Sequence, residues 1–343
     1  MDKRLILAVA GSGKTTHIVE RLNSSKRSLI ITYTTGNYNN LKNKIVQKFD
    51  SVWPENITLM TYFSFLFSFC YKPLLADIVR SRGIIYEPNP NKFVKKENIR
   101  FYMTNERYFY SNRLSFSFEF FDVLEEIQSR IEHYFDELVI DEVQDISGRD
   151  FNFLQHIMET KINMLFVGDF YQHTYDTSKD GNVNINLFND YATYKDKFLK
   201  KGFIVDENTL KKSWRCNEMI CSFVRENLGI EIYSHNEENP SFALSYLKDQ
   251  VEIARIMRDS NIVKLHYENS SKYGSGHKNW GETKGEDCYH DICIILNKKT
   301  DRYYKEGTLV KLAPQTKNKL YVALTRARGN VYFVDSLDFN KQF

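Results

Sequence analysis

Cysteine is scarce in this sequence and poorly spaced for metal: there are five in 343 residues, an odd number, with no Cys-x-x-Cys pair. That argues against a disulfide framework or a structural zinc site and fits a reduced intracellular chain. Cys216 and Cys221, five apart beside a helical pattern, read as packing residues. An excess of one charge is missing too. Forty-seven basic residues against 44 acidic ones leave a formal charge of +3, so any nucleic-acid site must be a local patch. No apolar run approaches the roughly 20 residues that a membrane span needs. The nearest, TYFSFLFSFCY from Thr61 to Tyr71, reads as a buried helix. The apolar run starting at Leu5 leaves no room for a signal peptide ahead of it, so the expected location is the cytoplasm, with no membrane partner.

What the sequence does have is concentrated at its start. Leu5 to Val9 lead into Ala10, Gly11, Ser12, Gly13, Lys14, Thr15 and Thr16, and the amphipathic HIVERL follows. Strand, tight loop and helix in that order are the setting of a phosphate-binding P-loop. Gly11 and Gly13 free the backbone to curl its N–H groups around a phosphate at a helix N-terminus. Lys14 then reaches the β- and γ-phosphates, and the Thr15 hydroxyl ligates Mg²⁺. The strict pattern asks for glycine where Ala8 stands; the strand and helix context supports the assignment, and the alternative is a chance Gly-Ser turn.

Along the chain, Ser28 to Thr32 reads as a second strand, with a helix from about Asn39, and this second βα step implies a parallel sheet. Ile57 to Phe63 is a third strand candidate. From Tyr71 to Arg113 the periodicity is poor, and Pro73, Pro88 and Pro90 interrupt it, which suggests an inserted subdomain. Phe120, Phe121, Leu124, Ile127 and Ile131 recur at helical spacing. Glu137 to Glu142 then places an apolar run directly before Asp141 and Glu142. Acids at the carboxyl end of a buried parallel strand stand where such sheets keep their ligands; the plain alternative is a surface pair capping the next helix. Asn163 to Val167 repeats the design, with Gly168, Asp169 and Gln172 at its tip. The pattern restarts past Lys201, with strand candidates at Ile262 to His266 and Asp291 to Asn297 and a final helix, turn and strand.

Taken in order, AGSGKTT, TYTTG, TYFSF, VIDEVQD, GDFYQ, SWRC, ETKGED and YVALTRAR resemble motifs I, Ia, its following aromatic motif, II, III, IV, V and VI of the UvrD/Rep-type superfamily 1 helicases. The match spans Leu5 to Arg328. The resemblance implies an α/β fold of two RecA-like parallel-sheet domains (P-loop NTPase) with a small helical insertion in the first. Residues 1–70 and 119–203 would form the first domain (1A), 71–118 a reduced 1B-like insertion, and 204–343 the second domain (2A), with no room for a 2B subdomain. It also implies that ATP is clamped between the domains. Asp141 would hold Mg²⁺ through water, and Glu142 would orient or deprotonate the attacking water. Gln172 would sense the γ-phosphate, Arg215 and Arg326 would act as arginine fingers, and Gly285 would complete the cleft. Trp214 stands where the family often has a base-stacking tyrosine; its plain alternative is a core tryptophan. For Arg215 and Arg326 the alternative is an ordinary surface charge.

The resemblance thins at the nucleic-acid face. Phe63 and Gly281 replace two expected histidines, and DTSKDG follows Tyr175 where tryptophan and arginine are expected. With only four residues ahead of Leu5, the adenine contact of the family's upstream glutamine motif is expected to be missing, so base selection is expected to be weak and to rest on Trp214. Tyr33 and Thr34 of TYTTG, Phe63, Tyr175 and Trp280 remain as candidates for contacting bases, and Lys284, Lys211 and Lys212 for phosphates. Core packing or a solvated face is the plain alternative for each. Two function classes follow: a Mg²⁺- and ATP-dependent 3′–5′ DNA helicase or translocase on single-stranded or partly duplex DNA, or an NTPase switch regulating a nuclease or other effector protein, as in anti-phage defence.

Overall fold

The computed structural model describes residues 1–343 apart from 92, 175–181, 237–241, 287 and 343. The first half of the chain runs β1 (Lys3–Leu7), α1 (Lys14–Arg21), β2 (Ser28–Thr32), α2 (Thr35–Lys48), β3 (Ile57–Thr61), α3 (Tyr62–Val79), β4 (Gly83–Ile85) and β5 (Tyr108–Tyr110). It continues with α4 (Leu114–Phe120), α5 (Leu124–Tyr134), β6 (Glu137–Asp141), α6 (Gly148–Ile157), β7 (Asn163–Gly168), α7 (Tyr191–Leu199) and β8 (Ile204–Asp206). Six strands pair in parallel in the order β3-β2-β6-β7-β1-β8. Both faces are covered, as the near-continuous apolar strands require. Leu5 and Leu7 point into a core shared with α3 to α7, while Ile6 and Ala8 point into one shared with Ile18, Val19, Leu41 and Ile45 of α1 and α2. That placement accounts for Ala8, whose methyl fills the core while its N–H donates to the Gly168 carbonyl at 2.8 Å.

Local chemistry moves several boundaries. The Thr34 Oγ1 accepts from the Asn37 N–H at 3.1 Å, so α2 starts at Thr35 rather than near Asn39. The helix expected through Phe120 and Ile131 breaks in two at Asp122, whose φ of +55° ends α4. The insertion is less helical than expected: between α3 and α4 lie 3₁₀ turns and the parallel pair β4–β5. Its Phe101, Tyr102, Phe109 and Phe118 join the aromatic core of the first sheet. The strand Ile204–Asp206 pairs with β1, so the first sheet reaches beyond the expected boundary at residue 203. Contrary to the sequence expectation, α3 is long and apolar enough to cross a membrane by length and composition, with 44% of that window buried inside the protein. Its middle, Phe65–Tyr71, is π-helical, and its buried side chains lie in the same aromatic core.

The second half contains β9 (Lys212–Ser213), α8 (Glu218–Leu228), β10 (Tyr233–Ser234), β11 (Leu244–Leu247), α9 (Gln250–Arg258), β12 (Val263–His266) and β13 (His277–Asn279). Then come β14 (Ile292–Leu296), α10 (Lys298–Lys305), α11 (Pro314–Leu324), β15 (Val331–Asp335) and α12 (Ser336–Asn340). Five of its strands form a second parallel sheet, β11-β15-β14-β12-β13. Cys216 and Cys221 are buried in its core, as the spacing suggested.

Candidate functional site

Because β6, β7 and β1 are neighbours, the loops that follow them open side by side at one carboxyl edge of the sheet. These loops carry Glu142, the 169–172 turn and the P-loop. The segment 213–216 and the end of α11 approach from the second half. Between them lies a polar cavity of about 400 Å³, lined by Gly11, Ser12, Gly13, Lys14, Thr15, Glu142 and Gln172 on one side and by Trp214, Arg215, Lys284, Gly285 and Arg326 on the other. Two expected P-loop contacts face elsewhere. The Ala10 N–H donates to the Tyr321 hydroxyl at 2.9 Å, and the Thr16 hydroxyl accepts from Lys44 Nζ at 2.8 Å.

The seam between the halves is tight at the P-loop. Gly11 has φ +70°, and its carbonyl accepts from the Trp214 N–H at 2.9 Å. A Cβ at Gly11 would lie 2.7 Å from both Arg215 Cβ and Ser213 Oγ, so any side chain there would push the second half away. Gly281 has a related cause, since a Cβ there would come within 3.2 Å of Thr174 Cβ. The expected histidine is absent where the two halves press together.

Charge is arranged across the cavity. Lys14 Nζ lies 3.3 Å from Glu142 Oε1. Glu142 holds the left-handed backbone conformation, φ +57°, which costs a residue with a side chain about 1–3 kcal/mol and is typical of functional sites. Burial opposes its ionisation, but Lys14, Lys284 and the Gln144 amide outweigh that and hold its pKa down at about 2. Asp141 goes the other way: burial first, then the neighbouring Glu142, pushes its carboxyl up to about 7. Its Oδ1 is buried with no hydrogen-bond partner among the described residues. An orphaned carboxylate oxygen suits a hard divalent cation, and Thr15, which lines the cavity, would supply a hydroxyl oxygen to it. Gln172 Nε2 donates to Asp169 Oδ2 at 3.0 Å. Arg215 Nη1 donates to the Thr325 carbonyl at 3.1 Å, and Arg326, 1% exposed, donates through Nη1 to the Glu286 carbonyl at 3.1 Å. Trp214 is no core residue: it is 63% exposed, with one face stacked on His235 at 3.6 Å.

Sequence reasoning missed Asn37, Asn40 and Lys44, which line the same cavity. Their spacing of three and four puts them on one face of α2, and that polar stripe was the available signal. It also missed Asp145, which pairs with Lys284 across the seam.

The nucleic-acid candidates separate. Trp280 is fully buried, its indole N–H donating to the Leu265 carbonyl at 3.0 Å, and this corrects its assignment as a stacking surface. Lys284 is likewise corrected, since it faces the nucleotide cavity and Asp145. Thr34 caps α2 and lines that cavity as well. Tyr175 lies outside the described residues. Tyr33 and Phe63 remain partly exposed. The register Thr32↔Thr61 puts the segments they follow side by side at the carboxyl edge, where Tyr33 stacks on Tyr62 and Phe63 on Phe67.

Residues 2–178 match the AAA domain family, and residues 119–335 match the viral superfamily 1 RNA helicase core domain family; each range covers more than half of the chain. No curated protein matches. Among solved structures, the chain is similar to the arterivirus nonstructural protein 10 helicase in complex with DNA, with 14% identity and a TM-score of 0.52, over 98% of this chain and 61% of that one. The PRRSV helicase matches at 14% identity and a TM-score of 0.48, over 97% and 52%. The chain thus spans less than two thirds of the length of either, and at this identity the likeness concerns the fold.

Proposed function

The chain belongs to the superfamily 1 helicases, and from that membership we propose that it is an ATP-dependent translocase on single-stranded DNA, of the UvrD/Rep type and moving 3′ to 5′. One observation carries the reading. The cavity takes Lys14, Glu142 and Gln172 from one parallel-sheet half and Arg215 and Arg326 from the other, so hydrolysis would depend on how the halves sit. The N–H groups at the start of α1 receive phosphate oxygens. Lys14 then moves from Glu142 to the β- and γ-phosphates. Without that cation beside it, the proton affinity of Glu142 rises, and its carboxylate turns to the attacking water. Gln172 contacts the γ-phosphate, and Arg215 and Arg326 neutralise the charge on the transferring group. Thr15 and Asp141 would hold Mg²⁺, whose charge would further neutralise the phosphates. Tyr33 and Phe63 offer faces on which bases stack.

A second reading, an NTPase switch acting on an effector protein, draws support from Trp280 and Lys284 facing inward. Displacement of streptavidin from end-labelled oligonucleotides separates the two. A 3′–5′ translocase clears the 5′ end of DNA in an ATP-dependent way and leaves the 3′ end occupied. Clearance of RNA alone would change the substrate, and clearance of neither would favour the switch.

A further inference from the structure

Tyr321 belongs to the second half, yet its hydroxyl is bonded entirely to the first. It donates to Asp169 Oδ2 at 2.9 Å and accepts from the Ala10 N–H at 2.9 Å. Asp169 Oδ2 also accepts from Gln172 Nε2 at 3.0 Å, and the Asp169 N–H donates to Gln144 Oε1 at 2.9 Å. Gln144 Nε2 in turn donates to Glu142 Oε2. A single hydroxyl from across the seam therefore ends a chain of bonds that joins the P-loop, Gln172 and Glu142. Tyr321, Ala10 and Gln144 are fully buried, and Asp169 and Gln172 nearly so. The apolar run around Tyr321 in α11 would be served equally well by a phenylalanine ring. A buried hydroxyl is a cost unless it is bonded, so this one is explained by its partners across the seam.

We infer that Tyr321 is a positioning residue that makes the alignment of Gln172 and Glu142 conditional on closure of the two halves. When the halves part, the hydroxyl leaves with α11. Asp169 Oδ2 and the Ala10 N–H then lose a shared partner, and the two catalytic side chains lose the anchor that sets them relative to the P-loop. Tyr321 itself does not line the cavity. The inference rests on the reading of the cavity as an ATP-hydrolysing site.

Steady-state ATP turnover by full-length Tyr321→Phe, with Mg²⁺, tests it. The expected result is a kcat lowered by about tenfold to a hundredfold, as for loss of a buried hydrogen bond to a charged group, with KM for ATP within about twofold of wild type. Combining Tyr321→Phe with Asp169→Asn should lower kcat no further than the worse single variant, because both act through one chain of bonds. A kcat within about twofold of wild type would overturn the inference. So would a KM that rises as the thermal midpoint falls, or losses that multiply in the double variant. A wild-type chain with no ATP turnover would instead sink the functional reading beneath it.

Discussion

Glu142→Gln is expected to bind ATP about as tightly as the wild-type chain and to turn it over about a thousandfold more slowly, within the range for loss of a positioned acid–base group. The substitution keeps the shape and the left-handed backbone position and removes only the charge. Lys14, 3.3 Å away, also loses a competing anion, so nucleotide binding has no reason to weaken. Equilibrium titration with a fluorescent ATP analogue and steady-state phosphate release measure the two effects separately. Retained turnover would show that another group handles the water.

The second large effect is expected at Arg326. Arg326→Ala should reduce turnover by about a thousandfold or more, the range of arginine fingers where they have been tested. The guanidinium is buried and held by the Val322 and Glu286 carbonyls, so truncation also removes donors from these backbone acceptors. Arg326→Lys is therefore the informative companion. It keeps the charge but loses the planar fork, and little activity should return. Circular dichroism and ATP turnover of both variants check this; a lysine variant near wild-type rate would reduce the role of Arg326 to bulk charge.

Some of this was legible in the sequence because it is written locally. Apolar runs ending in small or acidic residues placed β1, β2, β6 and β7, and such runs continue because both faces of the sheet are covered. Other features are non-local and left no periodic trace. Ile204–Asp206 reads as the start of a new domain because the pattern restarts there, yet it pairs with β1, 200 residues earlier. Trp280 and Lys284 have the right residue types for nucleic acid; only the packing of β12 beneath Trp280 and of Asp145 beside Lys284 turns them inward. The φ of Glu142 cannot be read from a glutamate, and the Tyr321 hydroxyl is hidden inside an apolar run. What escaped sequence reasoning lies chiefly at the seam between the halves, where the partners come from distant parts of the chain.

The central claim is that this seam is an ATP-hydrolysing site driven by a nucleic acid strand. The most direct measurement is ATP turnover of the full chain with Mg²⁺, in the presence and absence of single-stranded DNA. Stimulation of about tenfold or more, roughly 1.4 kcal/mol off the barrier, is the predicted result. Turnover that single-stranded DNA leaves unchanged would contradict it.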